Sequence, residues 1–224
     1  MTKLIIAIVL TLTSTFANAQ LKGSGKIITK TLDYKNFDKV NFNDLDGKLE
    51  IEVGKPYSIS IKIDDNLEKL LSVLEDSAGK TLTVSLKGNR NNKMYIEDTK
   101  IKVNITMPSL VEVSNNGNSG LTLININAKN FKSSNPVNGS TTLSGIVDNL
   151  EISCSGNGNL YAEKLSAKNA KVTCRGNGNA KVNVANSIIG TVSGNGNIIN
   201  SGIANFVADS KTIGNGSLNG KKNN

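Results

Sequence analysis

Four copies of one tetrad constrain this chain more than any other feature. "CSGNGN" at Cys154–Asn159 is followed by "CRGNGN" at Cys174–Asn179, "SGNGN" at Ser193–Asn197 and "GNGS" at Gly214–Ser217. Taking the Asn before the second Gly as a marker gives Asn157, Asn177, Asn195 and Asn215, with weaker copies at Asn116 and Asn138. Successive intervals are 22, 19, 20, 18 and 20 residues. A catalytic loop is needed once, whereas a corner is needed in every turn of a coil. Internal repeats of this period belong to solenoids.

Alignment on the marker exposes apolar columns. Three residues after it stand Leu160, Ala180, Ile198 and Leu218; eight after it stand Ile124, Ile146, Leu165, Ala185 and Ile203. Val113, Cys154, Cys174 and Val192 lie three before it, and Val111, Ile152 and Val172 five before. The expected fold is all-β: a right-handed parallel β-helix with coils of about twenty residues, like positions stacking about 4.8 Å apart. Each coil buries its inner face only against its neighbours, so the ends need caps.

The preceding part reads as strands. Val40 and Phe42, then Leu49, Ile51 and Val53, then Tyr57, Ile59, Ile61 and Ile63 alternate with polar residues. Leu82–Leu86 and Ile101–Met107 do the same. "DNLEKLLSVLED", Asp65–Asp76, instead spaces Leu67, Leu70, Leu71 and Leu74 as a short amphipathic helix behind an Asp/Asn cap. The expected organisation is a signal peptide over 1–19, then a β-rich part over 20–108 that runs without a break into coils over 109–224. The leader is read from Lys3, the apolar run Leu4–Leu12 and an Ala17-Asn18-Ala19 cleavage signal. No later stretch is apolar enough for a membrane helix. The strand-rich part caps the first coil, and the polar tail Asn219–Asn224 suits the last.

In the tetrads, Gly and Asn tolerate positive φ, and Asn amides bond turn backbone. Stacked coil on coil, Asn157, Asn177 and Asn195 form one expected amide ladder, and Asn159, Asn179 and Asn197 a second. A repeated tight corner is the favoured reading. The functional reading is a polar stripe for a sugar or protein, with Arg175, Asn157, Asn159, Asn177, Asn179, Asn195 and Asn197 as its residues. Phosphate-cradling is excluded by the lack of a strand–loop–helix unit with a following Lys. Calcium-binding repeats place an Asp in each turn, and these do not. Cys154 and Cys174 share one column; a buried pair of free thiols is slightly favoured over a disulfide, which export would permit.

The chain contains no His, which removes His-dependent nucleophiles and metal sites. The acids of the coil region, Glu112, Asp148, Glu151, Glu163 and Asp209, share no column when aligned on the marker. A glycan-cleaving pair of carboxylates is therefore the minor alternative, and the expectation is no enzyme, no cofactor and no metal. The formal charge of +8 is spread out, aromatics are 4% and Trp is absent, so no nucleic-acid partner is expected.

The leader, alternating strands from "FDKVNF", "DDNLEKLLSVLED", "GKTLTVSL", "IKVNITMPSL" and the repeated "VSGNGN"-like coils occur in a characteristic order. Together, over about residues 34–220, they resemble the auto-transporter adhesin head domain family, the head GIN domain. The resemblance implies a right-handed β-helix-like fold and an exported or surface location, as in Bacteroidota proteins; the leading functional expectation is a periplasmic or surface, adhesin-like protein that binds an envelope glycan or another surface protein. The resemblance supplies no catalytic residues. Nine residues follow Asn215 and none form a membrane strand, so a periplasmic, released or partner-held protein is expected rather than one that displays itself. A purely structural envelope scaffold is the bland alternative.

Overall fold

The computed structural model describes residues 21–88 and 96–220. The expected signal peptide, 1–19, and all but the first two residues of the polar tail lie outside them.

Alternating short strands whose inner faces are apolar can bury those faces only by stacking, and this chain stacks them in parallel. Glu112–Asn116 pairs with Gly120–Asn135, which pairs in turn with Ser140–Cys154, Leu160–Gly176 and Ala180–Gly194 in sequence order. Asn197–Asn200, Lys211–Ile213 and Ser217–Asn219 complete that end, again in parallel. The long strands bend rather than run straight. Their registers shift between Leu123 and Ile126, between Thr142 and Ser144, and twice between Ala162 and Asn169. Bulges of this kind let one continuous strand turn a corner.

The strand-rich part before residue 108 belongs to the same stack. Lys39–Asn43 pairs in parallel with Glu112–Asn116, and Gly47–Val53 with the first half of Gly120–Asn135. Thr81–Leu86 and Ile101–Met107 add one further parallel layer. Beyond them the direction reverses: Leu71–Asp76, Ser58–Asp64 and Ile27–Leu32 are antiparallel to their neighbours. This antiparallel layer covers the open end of the parallel stack.

The core is a set of columns running through the layers. Val103, Leu49, Leu121, Thr141, Leu160, Ala180, Ile198 and Leu218 pair successively. All but Leu218 are buried. Each fully buried Leu, Ile or Val contributes about 1.5–3 kcal/mol relative to exposure, so the columns, not single contacts, hold the coils in line. Inside the bends, buried asparagines bond nearby carbonyls: Asn115 Nδ2 donates to Ser119 O (3.0 Å), Asn135 Nδ2 to Gly139 O, and Asn200 Nδ2 to Ala204 O (2.8 Å). These amides satisfy corner carbonyls that face away from solvent.

Three expectations are corrected. The helix is half its expected length: Asp65–Leu70 is a 3₁₀ turn and Leu71–Asp76 is a strand on Thr81–Leu86. Leu67 alone of the helical leucines is fully buried, whereas Leu74 is 62% exposed. Asp64 makes no side-chain cap; its carboxylate accepts from Gly25 N (2.7 Å) and Lys100 N (2.8 Å). Second, the column eight residues after the marker does not exist. Ile146 and Ile203 are 66% and 71% exposed, and Leu165 pairs with Gly145, not Ile146. A bulge separates Ile146 from its marker, and Ile203 lies past the end of its strand at Asn200. Third, Cys154 and Cys174 are bonded to each other, not a pair of free thiols. Their paired Cα atoms lie 4.7 Å apart, inside the range that a disulfide bridges. In-register stacking thus brings the two side chains within bonding reach.

Candidate functional site

The tetrads form one corner, repeated layer upon layer, and their two glycines do different work. The first, Gly156, Gly176, Gly194 and Gly214, has φ of 75°, 96°, 123° and 108°, a backbone that residues with a Cβ avoid. The second, Gly158, Gly178, Gly196 and Gly216, packs against the carbonyl oxygen of the matching glycine one layer back, with no room for a Cβ. The carbonyl of the first glycine then collects two donors from the next layer: Asn177 N and Gly178 N reach Gly156 O at 2.9 and 3.1 Å, and Asn195 N and Gly196 N reach Gly176 O at 2.9 and 3.0 Å. None of the tetrad asparagines has positive φ, so their role lies in the side chain.

Both expected amide ladders are present. On the exposed edge, Asn157 Nδ2 donates to Asn138 Oδ1 (3.1 Å), Asn177 Nδ2 to Asn157 Oδ1 (2.8 Å), Asn195 Nδ2 to Asn177 Oδ1 (2.8 Å) and Asn215 Nδ2 to Asn195 Oδ1 (3.1 Å). The half-buried ladder is doubly bonded at each step. Asn159 Oδ1 accepts from both Asn179 Nδ2 (3.1 Å) and Asn179 N (3.0 Å), and Asn179 Oδ1 from Asn197 Nδ2 (2.9 Å) and Asn197 N (3.0 Å). Ser217 Oγ donates to Asn197 Oδ1 at 2.6 Å and ends it. Arg175 stands exposed beside this corner, paired in register with Ser193. An amide has two N–H groups and two acceptor lone pairs. Each inner rung of the exposed ladder thus keeps one donor and one acceptor for solvent or a ligand.

A second arrangement was missed at the sequence level. Asn149 Nδ2 donates to Asn130 Oδ1 (2.9 Å) and Asn169 Nδ2 to Asn149 Oδ1 (3.2 Å), with Ser187 paired to Asn169 one layer on. Two residues further along each strand runs a charged column: Glu112, Lys132, Glu151, Lys171, then Ile189. Between the two columns lies a groove of about 560 Å³, floored by Phe131, Leu150 and Ala170 and flanked by Val111 and Ile189. The signal was there to find: "NFK", "NLE", "NAK" and "SII" recur at the repeat interval.

This column also corrects the reading that the acids share none. Glu112 and Glu151 both pair with Lys132 and line the same groove. Val113 pairs with Ser133 and Leu121 with Thr141, an offset of twenty, although the corner markers Asn116 and Asn138 are twenty-two apart. The two corners are equally long, eight residues from Val113 to Leu121 and from Ser133 to Thr141, so the counterpart of Asn138 is Asn118 and a marker at Asn116 stands two residues early. Lys132 stands between the two acids and reaches Glu112 at 3.7 Å. Both carboxylates face solvent. Asp148 and Glu163 are engaged by Lys168 (2.7 Å) and Lys181 (3.8 Å). At the capped end, the Ser24 hydroxyl, then Lys26, hold the exposed Asp65 carboxyl below its usual range, and Lys22 does the same for Asp98. Among the described residues, no three His, Cys, Asp or Glu gather to hold a metal, and no helix is long and apolar enough to cross a membrane.

Residues 36–204 match the family described as "Putative auto-transporter adhesin, head GIN domain". The chain belongs to this family. It is an exported, adhesin-like protein of the cell envelope or surface. No curated protein matches it. The fold is shared with solved structures. That of "a putative adhesin" from Bacteroides fragilis superposes with a TM-score of 0.68 at 21% identity, covering 90% of this chain and 100% of that one. That of "a putative adhesin" from Parabacteroides merdae gives 0.53 at 18% identity, covering 91% and 99%. A "putative lipid binding protein" from Parabacteroides distasonis gives 0.53 at 19% identity, covering 91% and 100%. The head GIN fold is therefore common to proteins of divergent sequence.

Proposed function

We propose that this head GIN protein binds an envelope glycan or another surface protein along the stacked tetrad corner. The observation that carries the reading is the exposed ladder from Asn138 to Asn215, an unbroken column of amides with unspent hydrogen-bonding capacity. Arg175, Asn157, Asn177 and Asn195 supply the outer contacts, and Asn159, Asn179 and Asn197 the inner ones. Residues 1–19 direct export and are removed. The remainder acts as one head domain over about 34–220, its 20–108 part continuous with the coils of 109–224. The coils wind right-handed with about twenty residues each, as strand-crossover chirality and the marker intervals favour.

Glycan-array and surface-protein capture with the exported chain test this. Loss of binding in Asn177→Ala plus Asn195→Ala, with the fold intact, is the expected result; undiminished binding refutes the corner as the contact face. A second reading, a purely structural scaffold, is favoured by one specific observation: the ladder amides already bond one another. It predicts that the same double variant loses stability and that the parent chain captures nothing.

A further inference from the structure

The groove between the Asn130–Asn149–Asn169 ladder and the Glu112–Lys132–Glu151–Lys171 column is separate from the tetrad corner. We propose that it is a second binding site, for an uncharged, extended hexose chain laid across the coils. The inference rests on the reading of this protein as an envelope binder but places the sugar on a different face.

Size comes first. About 560 Å³ lies within the span of ligand-binding clefts, roughly 300–1,000 Å³. Direction comes next. The columns run across the strands, so their polar groups repeat at the strand spacing of about 4.8 Å, and the step from Asn130 to Ser187 covers three spacings, about 14 Å. An extended peptide advances about 3.4 Å per residue and alternates its faces. It falls out of phase with such a ladder within two rungs. A β-linked hexose chain in extended form advances close to one rung per sugar and presents hydroxyls at each.

The chemistry of the walls points the same way. Asn149 spends one N–H on Asn130 and one lone pair on Asn169, and keeps one of each. A sugar hydroxyl needs both a donor and an acceptor, which every rung offers. Opposite, Glu151 and Lys171 have no hydrogen-bond or ion-pair partner among the described residues, although they are adjacent in register. A free carboxylate accepts from neighbouring hydroxyls, and a free ammonium donates to them. Alternation of Glu and Lys leaves the wall without net charge, so it holds no attraction for an acidic polymer. At its ends, the partly exposed Val111 and Ile189 offer apolar surface to the C–H face of a ring.

The test is an array of neutral and acidic oligosaccharides, followed by titration of hits, on the exported chain. Four proteins are compared: the parent, Asn149→Ala plus Glu151→Ala, the milder Glu151→Gln, and the corner variant Asn177→Ala plus Asn195→Ala. Thermal melts accompany each. The expected result is binding of neutral hexose oligomers, tightening from two to about three or four units as the groove fills. The groove double variant weakens it at least tenfold, Glu151→Gln weakens it by a smaller factor, and the corner variant leaves it unchanged. Should the double variant melt early, Glu151→Gln decides alone. Binding confined to acidic glycans or to peptides overturns the proposal, as does the lack of any neutral hit. Binding lost in the corner variant and kept in both groove variants also overturns it, while leaving the proposed corner function standing.

Discussion

Replacing Gly178 by Ala probes the tetrad corner directly. A Cβ there would stand 3.0 Å from the carbonyl carbon of Gly158, closer still to its oxygen, and 3.4 Å from the carbonyl carbon of Asn157. Carbon atoms pack best at about 3.5–4.0 Å from carbon and little closer to oxygen, and the nearer oxygen sets the limit, so the two layers must part by more than about 1 Å. Overpacking against backbone costs about 1–3 kcal/mol. Parting the layers also stretches Gly178 N to Gly156 O (3.1 Å), Asn177 N to Gly156 O (2.9 Å) and the Asn177–Asn157 rung (2.8 Å), each worth about 1 kcal/mol when lost outright. A total near 3 kcal/mol is expected if the bonds weaken rather than break. With a urea dependence of about 2 kcal/mol/M, the unfolding midpoint falls by about 1.5 M. Gly120→Ala is the control, because its Cβ would meet no heavy atom within 4 Å and its φ is not in the left-handed region; its effect stays within about 1 kcal/mol. If the two variants unfold at the same midpoint, close stacking is not why the second glycine is there.

Two further outcomes are expected. Cys154 and Cys174 close a loop over a sequence separation of 20, so reducing them lowers stability by about 3 kcal/mol on the chain-entropy estimate; alkylation of the unreduced protein that labels either cysteine contradicts the bond. Asp65, held below its usual pKa chiefly by the Ser24 hydroxyl, adds stability above its unfolded pKa that is lost as pH falls through the lower folded value. Ser24→Ala moves the Asp65 carboxyl back up, read by its ¹³C shift against pH, and an unchanged titration refutes that assignment.

What the sequence reveals and conceals here has a physical logic. The stacked corner and both amide ladders are legible because glycines and asparagines of one kind recur at one interval. Leu160, Ala180 and Ile198 are legible because they lie three residues past the corner, too few for a bulge to intervene. Ile146 and Ile203 are not, since a bulge separates Ile146 from the marker and Ile203 lies past the end of its strand at Asn200, and no periodicity records either. Glu112 and Glu151 escape because "NNGN" offers two asparagines, and a marker at Asn116 instead of Asn118 stands two residues out of step with the later copies. Leu71–Asp76 misleads because leucines at 67, 70, 71 and 74 satisfy a helical spacing while "LSVLED" also pairs as an antiparallel strand; tertiary pairing decides. The Asn130–Asn149–Asn169 ladder was readable, but one residue per repeat is a weaker signal than a tetrad.

Register is the central claim, because it makes both the columns and the groove. Cysteine pairs trapped by oxidation and mapped by mass spectrometry measure it most directly. Asn169 pairs with Ser187, eighteen residues on, whereas a strict twenty-residue repeat would place it against Ile189. Asn169→Cys combined with Ser187→Cys is predicted to cross-link efficiently, and Asn169→Cys combined with Ile189→Cys poorly. The opposite preference would contradict the stacking on which every column described for this protein depends.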